Sequence, residues 1–121
     1  MLEQNNLSKR LFVFSTDAIK FLRTLPKGVE YKVIHYQLVK SCTSSGANYE
    51  EAQSGTSRPD FNNKVRISLK EMRESNYWFR VLYEIIDLSK IDVDFLKYLT
   101  NESKELTKIL GSIVNKTGKK Y

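Results

Sequence analysis

Five residues in the middle of the chain combine positive charge with one aromatic ring at helical spacing. Their steps of 4, 3, 4 and 3 would place them on one face of an α-helix, and they are Arg66, Lys70, Arg73, Tyr77 and Arg80. A line of cations suits the phosphates of a nucleic acid, and an aromatic side chain among them suits base stacking. The pattern predicts a nucleic-acid-binding face. The alternative is an ordinary solvated face with the weak pairs Lys70–Glu74 and Arg80–Glu84.

Acidic side chains raise a second chemical possibility. The carboxylates that could gather near one end of a helical bundle are Glu50, Glu51, Glu71 and Glu74. Clustered carboxylates can hold Mg²⁺, but we favour pairing with Arg or Lys. A di-iron bundle needs Glu-x-x-His motifs, and residue Lys32 stands three before the single histidine, His35. Since no Gly-rich phosphate loop, nucleophile elbow or zinc motif occurs either, we predict a non-enzymatic protein without catalytic residues, cofactor or metal.

Composition limits the environment and the partners of the chain. Cys42 is the single cysteine, which excludes an intramolecular disulfide and a Cys-based zinc site. The sequence has no apolar run of about 18 residues and no signal-peptide pattern, so we expect a cytoplasmic protein with no membrane partner. Twenty basic against 14 acidic residues give a net charge of +6 and a pI of about 9.4. This balance permits a polyanionic partner, although it could also serve solubility alone.

The elements that must position these residues are helices. Apolar residues at steps of 3 and 4 predict amphipathic helices at about residues 7–25, 29–54, 58–86 and 92–116. Pro26 should end the first helix, while Ser57 and Asp92 should cap the third and fourth. With 121 residues, 40% of them hydrophobic, residues 1–121 suffice for one domain. Short connections favour an all-α, antiparallel up-down-up-down four-helix bundle.

The third predicted helix carries more apolar surface than one core stripe requires. Its core stripe is Phe61, Val65, Ser68, Met72, Ser75, Phe79, Leu82 and Ile86. A second apolar line, on another face, consists of Ile67, Trp78, Val81 and Ile85. A large extra apolar face is typical of a partner surface, so we predict that this line forms a homo-oligomer interface. The alternative is a wide core that covers the line within one chain.

Several runs in the second and third predicted helices match a known family. They are residues 37–52 (QLVKSCTSSGANYEEA), Asp60-Phe61, Lys64, Ser68-Leu69-Lys70-Glu71, Glu74-Ser75 and Tyr77-Trp78. In these runs the chain resembles the bacterial four-helix-bundle proteins often encoded in intervening sequences of 23S ribosomal RNA genes, which are related to accessory proteins of diversity-generating retroelements. The resemblance implies an antiparallel bundle that assembles into a homopentamer. For the retroelement branch it also implies binding of RNA or DNA and contact with a reverse transcriptase.

Polar side chains at the matched positions should meet between the second and third helices. Ser41, Ser45 and Asn48 would face Ser68 and Ser75, where small side chains allow close packing and buried polar atoms must find partners. A polar network is predicted from Asn48, Glu51, Glu71 and Glu74. The sequence as a whole predicts a homo-oligomeric, non-enzymatic protein that binds RNA or DNA. The alternative function is a structural or protein-interaction module without nucleic-acid binding.

Overall fold

The computed structural model describes residues 2–55 and 57–118, with side chains for 6–55 and 57–117. Its four α-helices are α1 (Leu2–Leu22), α2 (Val29–Ala52), α3 (Arg58–Ile85) and α4 (Val93–Gly118), and a 3₁₀ turn (Leu88–Lys90) precedes α4. The described residues contain no strand. The predicted all-α class is therefore confirmed.

Local signals account for most helix ends. The Ser57 hydroxyl accepts a hydrogen bond from the Asp60 backbone N–H at 3.4 Å, and the Asp92 carboxylate accepts one from Phe95 N–H at 3.0 Å. Both predicted caps are confirmed. Helix α1 ends at Leu22, three residues before the predicted end, because Leu25 precedes a proline and its N–H bonds back to the Leu22 carbonyl in a tight turn.

Each helix packs antiparallel against its sequence neighbour, and α1 closes the bundle against α4. The α2–α3 register pairs Ser41 with Ser75, whose hydroxyl oxygens lie 2.8 Å apart, and Ser45 with Ser68. Ser45 donates to the Ser68 carbonyl at 2.8 Å, and Ser68 donates to the Ser45 carbonyl at 2.7 Å. All four serines are buried and satisfied, so the predicted polar contact between the two helices is confirmed for the serines. It is wrong for Asn48, which bonds to Ser44 on its own helix.

Apolar side chains from all four helices form one core. The predicted stripe of α3 is buried except at Phe61, which is half-buried, and Phe14 of α1 meets Phe79 of α3 edge-to-face. On α4, Glu102 interrupts an apolar line that consists of Phe95, Leu99, Leu106, Ile109 and Ile113. Its carboxylate accepts two hydrogen bonds from Arg10 of α1, at 2.7 and 2.8 Å. This bidentate pair, with Phe21 against Phe95, joins α1 to α4.

Candidate nucleic-acid interface

The predicted basic line lies on the solvent side of α3. All five of its side chains are exposed, and Tyr77 exposes 51% of its surface. From Arg66 to Arg80 the line spans 14 residues, or about 21 Å at 1.5 Å per residue. A helix buried on one side by the core thus presents a continuous cationic strip on the other.

Helix α4 extends this strip with lysines that sequence reasoning did not connect to it. Lys97, Lys104 and Lys108 are exposed, and their steps of 7 and 4 place them on one line of α4. We call the surface formed by both helices the basic groove; it consists of Arg66, Lys70, Arg73, Tyr77, Arg80, Lys97, Lys104 and Lys108. The spacing within α4 was visible in the sequence. Its placement beside α3 depends on how the two helices rotate against each other, which the sequence does not state.

Two open cavities show where the helices face each other across the basic groove. One of about 710 Å³ has Tyr77 and Arg80 of α3 on one side and Lys97 of α4 on the other. The next, of about 520 Å³, lies between Arg73 of α3 and Lys108 of α4. Cations from both helices therefore border each of the two cavities.

The cations of the basic groove have few acidic partners. Among the described residues, the alternative pairs Lys70–Glu74 and Arg80–Glu84 are not formed as ion pairs. The ion pair in the basic groove is between Lys108 and Glu105 at 3.8 Å, both well exposed, and such a pair is weak in water. Most of the positive charge is therefore available to an anionic ligand.

Arg80 is held in place by a chain of hydrogen bonds. Its Nε donates to Asn76 Oδ1 at 3.0 Å, and Asn76 Nδ2 donates to the Thr100 carbonyl at 3.2 Å and to Ser103 Oγ at 3.0 Å. The guanidinium carbon also lies 5.7 Å from the centre of the Tyr77 ring. Asn76, absent from the predicted site, positions Arg80; an amide one turn before an arginine was the available signal.

The second apolar line of α3 is partly covered within one chain. Trp78 and Val81 are half-buried and pack against the core, and Ile67 is half-buried. A wide core therefore accounts for part of this line. Ile85 remains 46% exposed, and the buried Trp78 Nε1 has no hydrogen-bond partner among the described residues. Within a single chain, the second apolar line therefore keeps one exposed apolar side chain and one buried N–H group without an acceptor among the described residues.

The four members of the predicted polar network are not joined within one chain. Asn48 is half-buried and donates to the carbonyl and hydroxyl oxygens of Ser44, one turn earlier on its own helix. Glu51 is exposed, and no hydrogen bond among the described residues links it to Glu71 or Glu74. The serines carry the buried polar contact instead, because they lie on the helix faces that meet.

The described residues include no group of three His, Cys, Asp or Glu side chains that could hold a metal ion.

Burial raises the pKa of the Cys42 thiol to about 12, with a smaller opposing effect from a hydrogen bond with Ser75. In residues 2–55 and 57–118, no helix is both long and apolar enough to cross a membrane. The basic groove is thus the surface whose chemistry points most directly to a ligand.

Comparison with known proteins identifies a matching family and a similar solved structure. Residues 3–112 match the family model described as 23S rRNA-intervening sequence protein. The chain is also similar to the crystal structure of a protein of unknown function from the S23 ribosomal protein family of Bacteroides thetaiotaomicron VPI-5482. That match has a TM-score of 0.75 and 31% sequence identity, and it covers 89% of this chain and 97% of the other. No curated protein matches the chain.

Proposed function

Because the chain belongs to the 23S rRNA-intervening sequence protein family, we propose that it is a non-enzymatic, homo-oligomeric protein that binds RNA or DNA along the basic groove. The observation that carries the proposal is the exposed, largely unpaired row of cations shared by α3 and α4. The family name refers to a sequence that interrupts 23S rRNA and names no ligand, so RNA and DNA are both tested.

The spacing of the cations suits the phosphate backbone better than an isolated anion. Arg73 and Arg80 are seven residues apart on α3, or about 10 Å along the helix axis. Lys97 and Lys108 offer charge on the facing wall of the basic groove. An extended polyanion could contact all four cations at once, whereas a single phosphate could not. Such contacts position a nucleic acid without reading its sequence.

Self-association would multiply these contacts. Each added subunit repeats the basic groove, and linked sites bind a long ligand more tightly than one site does. The support for self-association is Ile85 on α3, which is 46% exposed at the end of the second apolar line. An oligomer that covers Ile85 would bury apolar surface.

The test is the salt dependence of binding to single- and double-stranded RNA and DNA. Each phosphate contact contributes about 0.9 to the slope of log affinity against log salt for duplex DNA and about 0.7 for single strands. Replacing Arg73 and Arg80 with alanine should lower the slope by up to roughly two per engaged subunit, because two contacts are lost. The loss should be similar across base sequences.

A matched variant controls for net charge. Lys20→Ala with Lys32→Ala removes two exposed lysines on α1 and α2, away from the basic groove, and should leave the slope unchanged. The proposal fails if no nucleic acid binds at low salt, an outcome that favours a structural or protein-interaction module. It also fails if the Arg73/Arg80 variant binds as well as the parent. That result would move the site to Lys116, Lys119 and Lys120, of which Lys119 and Lys120 lie outside the described residues.

A further inference from the structure

We propose that the cavity beside Tyr77 receives an unpaired base, so that the basic groove selects single-stranded over double-stranded nucleic acid. The inference rests on the proposed function and names the class of ligand for the same site. It is carried by the lining of the cavity of about 710 Å³ between α3 and α4. Beside Tyr77, Arg80 and Lys97 of the basic groove, this lining includes the uncharged Val81, Tyr83, Thr100 and Asn101 and the acidic Glu84.

Aromatic and aliphatic groups form part of the cavity wall. Tyr77, Val81 and Tyr83 all line it. Tyr77 is half-exposed, and its ring is braced by the edge-to-face contact with Trp78, with 5.3 Å between the ring centres and 76° between the planes. The Arg80 guanidinium carbon lies 5.7 Å from the centre of the same ring, so the ring face that Arg80 leaves open is the one available for stacking with a base. Phosphates gain nothing from that face.

Different polar groups of the cavity suit the base and the phosphates of a nucleotide. Arg80 and Lys97 line the cavity and supply positive charge for phosphates. Glu84 also lines the cavity, and its carboxylate would repel a phosphate but accept a hydrogen bond from the N–H groups of a base. Asn101 adds an amide that can both donate and accept. This combination fits a nucleotide with its base inside and its phosphates outside.

A double helix cannot use this arrangement. Its bases are paired and stacked on one another, so none can lie against Tyr77 without the cost of leaving the stack. A single strand has bases free to turn outward, and aromatic side chains between cations are the usual way in which proteins bind such strands. The Asn76–Arg80 contact fixes one cation beside the ring before any ligand arrives. The cavity is thus prepared for a base next to a phosphate.

The experiment compares a 12-nucleotide RNA with its duplex at one salt concentration, using the full chain and three variants. Tyr77→Leu should weaken binding of the single strand roughly 5- to 150-fold, since stacking on an aromatic ring contributes that much per base. Binding of the duplex and the salt slope should change little. Tyr77→Phe should retain the affinity because it keeps the ring. Tyr36→Leu removes a 66% exposed tyrosine from α2 and should have no effect.

A second readout reports on the cavity itself. Trp78 is the only tryptophan in the chain and touches Tyr77, so a base against Tyr77 should change its fluorescence. Inorganic polyphosphate carries no bases and should compete for the basic groove without the same change.

Each outcome decides between the two proposals. The inference is overturned, and the proposed function kept, if the duplex binds as tightly as the single strand, or if Tyr77→Leu weakens both equally while the Arg73/Arg80 variant still lowers the salt slope. Absence of binding by either form overturns both.

Discussion

Burial of Cys42 in the core lowers the reactivity of its thiol. The thiol is fully buried on α2, and its burial raises the pKa from an ordinary value of 9.0 to about 12. At pH 8 the folded chain would hold about a thousandfold less thiolate than the unfolded chain, and the thiolate is the form that reacts. Labelling by a thiol reagent at pH 8 should therefore be slow in the native protein and rapid in denaturant.

The same difference in pKa gives a direction for stability. Between pH 9 and 12 the unfolded chain loses a proton that the folded chain keeps, so the contribution of Cys42 is present below pH 9 and is lost as pH rises toward 12. The stability of Cys42→Ala relative to the parent should improve over that range in urea titrations.

Because the chain has one thiol, the reaction with a thiol reagent at pH 8 reports on Cys42 alone. Fast labelling of the native protein would contradict the burial of Cys42.

At the scale of the helices, a structural feature could be predicted from the sequence wherever the residues that determine it are close together in the chain. Ser57, Pro59 and Asp60 stand next to one another and mark the start of α3 correctly. The core stripes repeat within each helix, which is why the bundle could be predicted. The pairing of Glu102 with Arg10 could not be predicted in this way, because the two residues lie 92 positions apart.

The candidate site was predictable to the same extent. The α3 half of the basic groove lies on one helix, so helical spacing was enough to predict that its five residues share an exposed face. Their role in binding stays a prediction. The α4 half depends on which helix lies beside α3 and on its rotation, as does the contact of Asn76 with Ser103. The polar network failed to form in one chain because Asn48 had a nearer partner, Ser44, on its own helix. Helical spacing alone does not show whether a polar side chain bonds to a residue on its own helix or to one on another helix.

Assembly is the prediction for the whole molecule. Light scattering at micromolar concentration should give a mass severalfold above the 14.1 kDa of one chain. Ile85→Glu should lower that mass, because it places a charge on the exposed end of the second apolar line. Trp78→Ala is a poorer probe, since Trp78 also packs against the core of its own chain.

The control for assembly is a matched substitution elsewhere. Val13 on α1 is 39% exposed, close to the 46% of Ile85, and Val13→Glu should leave the mass unchanged. A parent protein that is monomeric, or an Ile85→Glu variant that assembles normally, would rule out this interface. Circular dichroism of both variants separates loss of assembly from loss of helix.

The closure of the bundle between α1 and α4 has a consequence for the rate at which the chain folds. In the described residues, the other major helix pairings join sequence neighbours, whereas Arg10–Glu102 and Asp17–Tyr98 join residues 92 and 81 positions apart. Local pairings form at low entropic cost, and distant ones require a long loop to close first. We therefore expect α2, α3 and α4 to pack in the folding transition state before α1 meets α4.

Glu102→Gln tests this order of events. The change weakens a half-buried, charge-assisted pair and should lower the free energy of unfolding by about 1 kcal/mol. If the contact forms after the transition state, unfolding should become about fivefold faster while the folding rate stays constant. Ser45→Ala, in the α2–α3 contact, should instead slow folding. Stopped-flow circular dichroism measures both rates, and a slower folding rate for Glu102→Gln would show that α1 docks early.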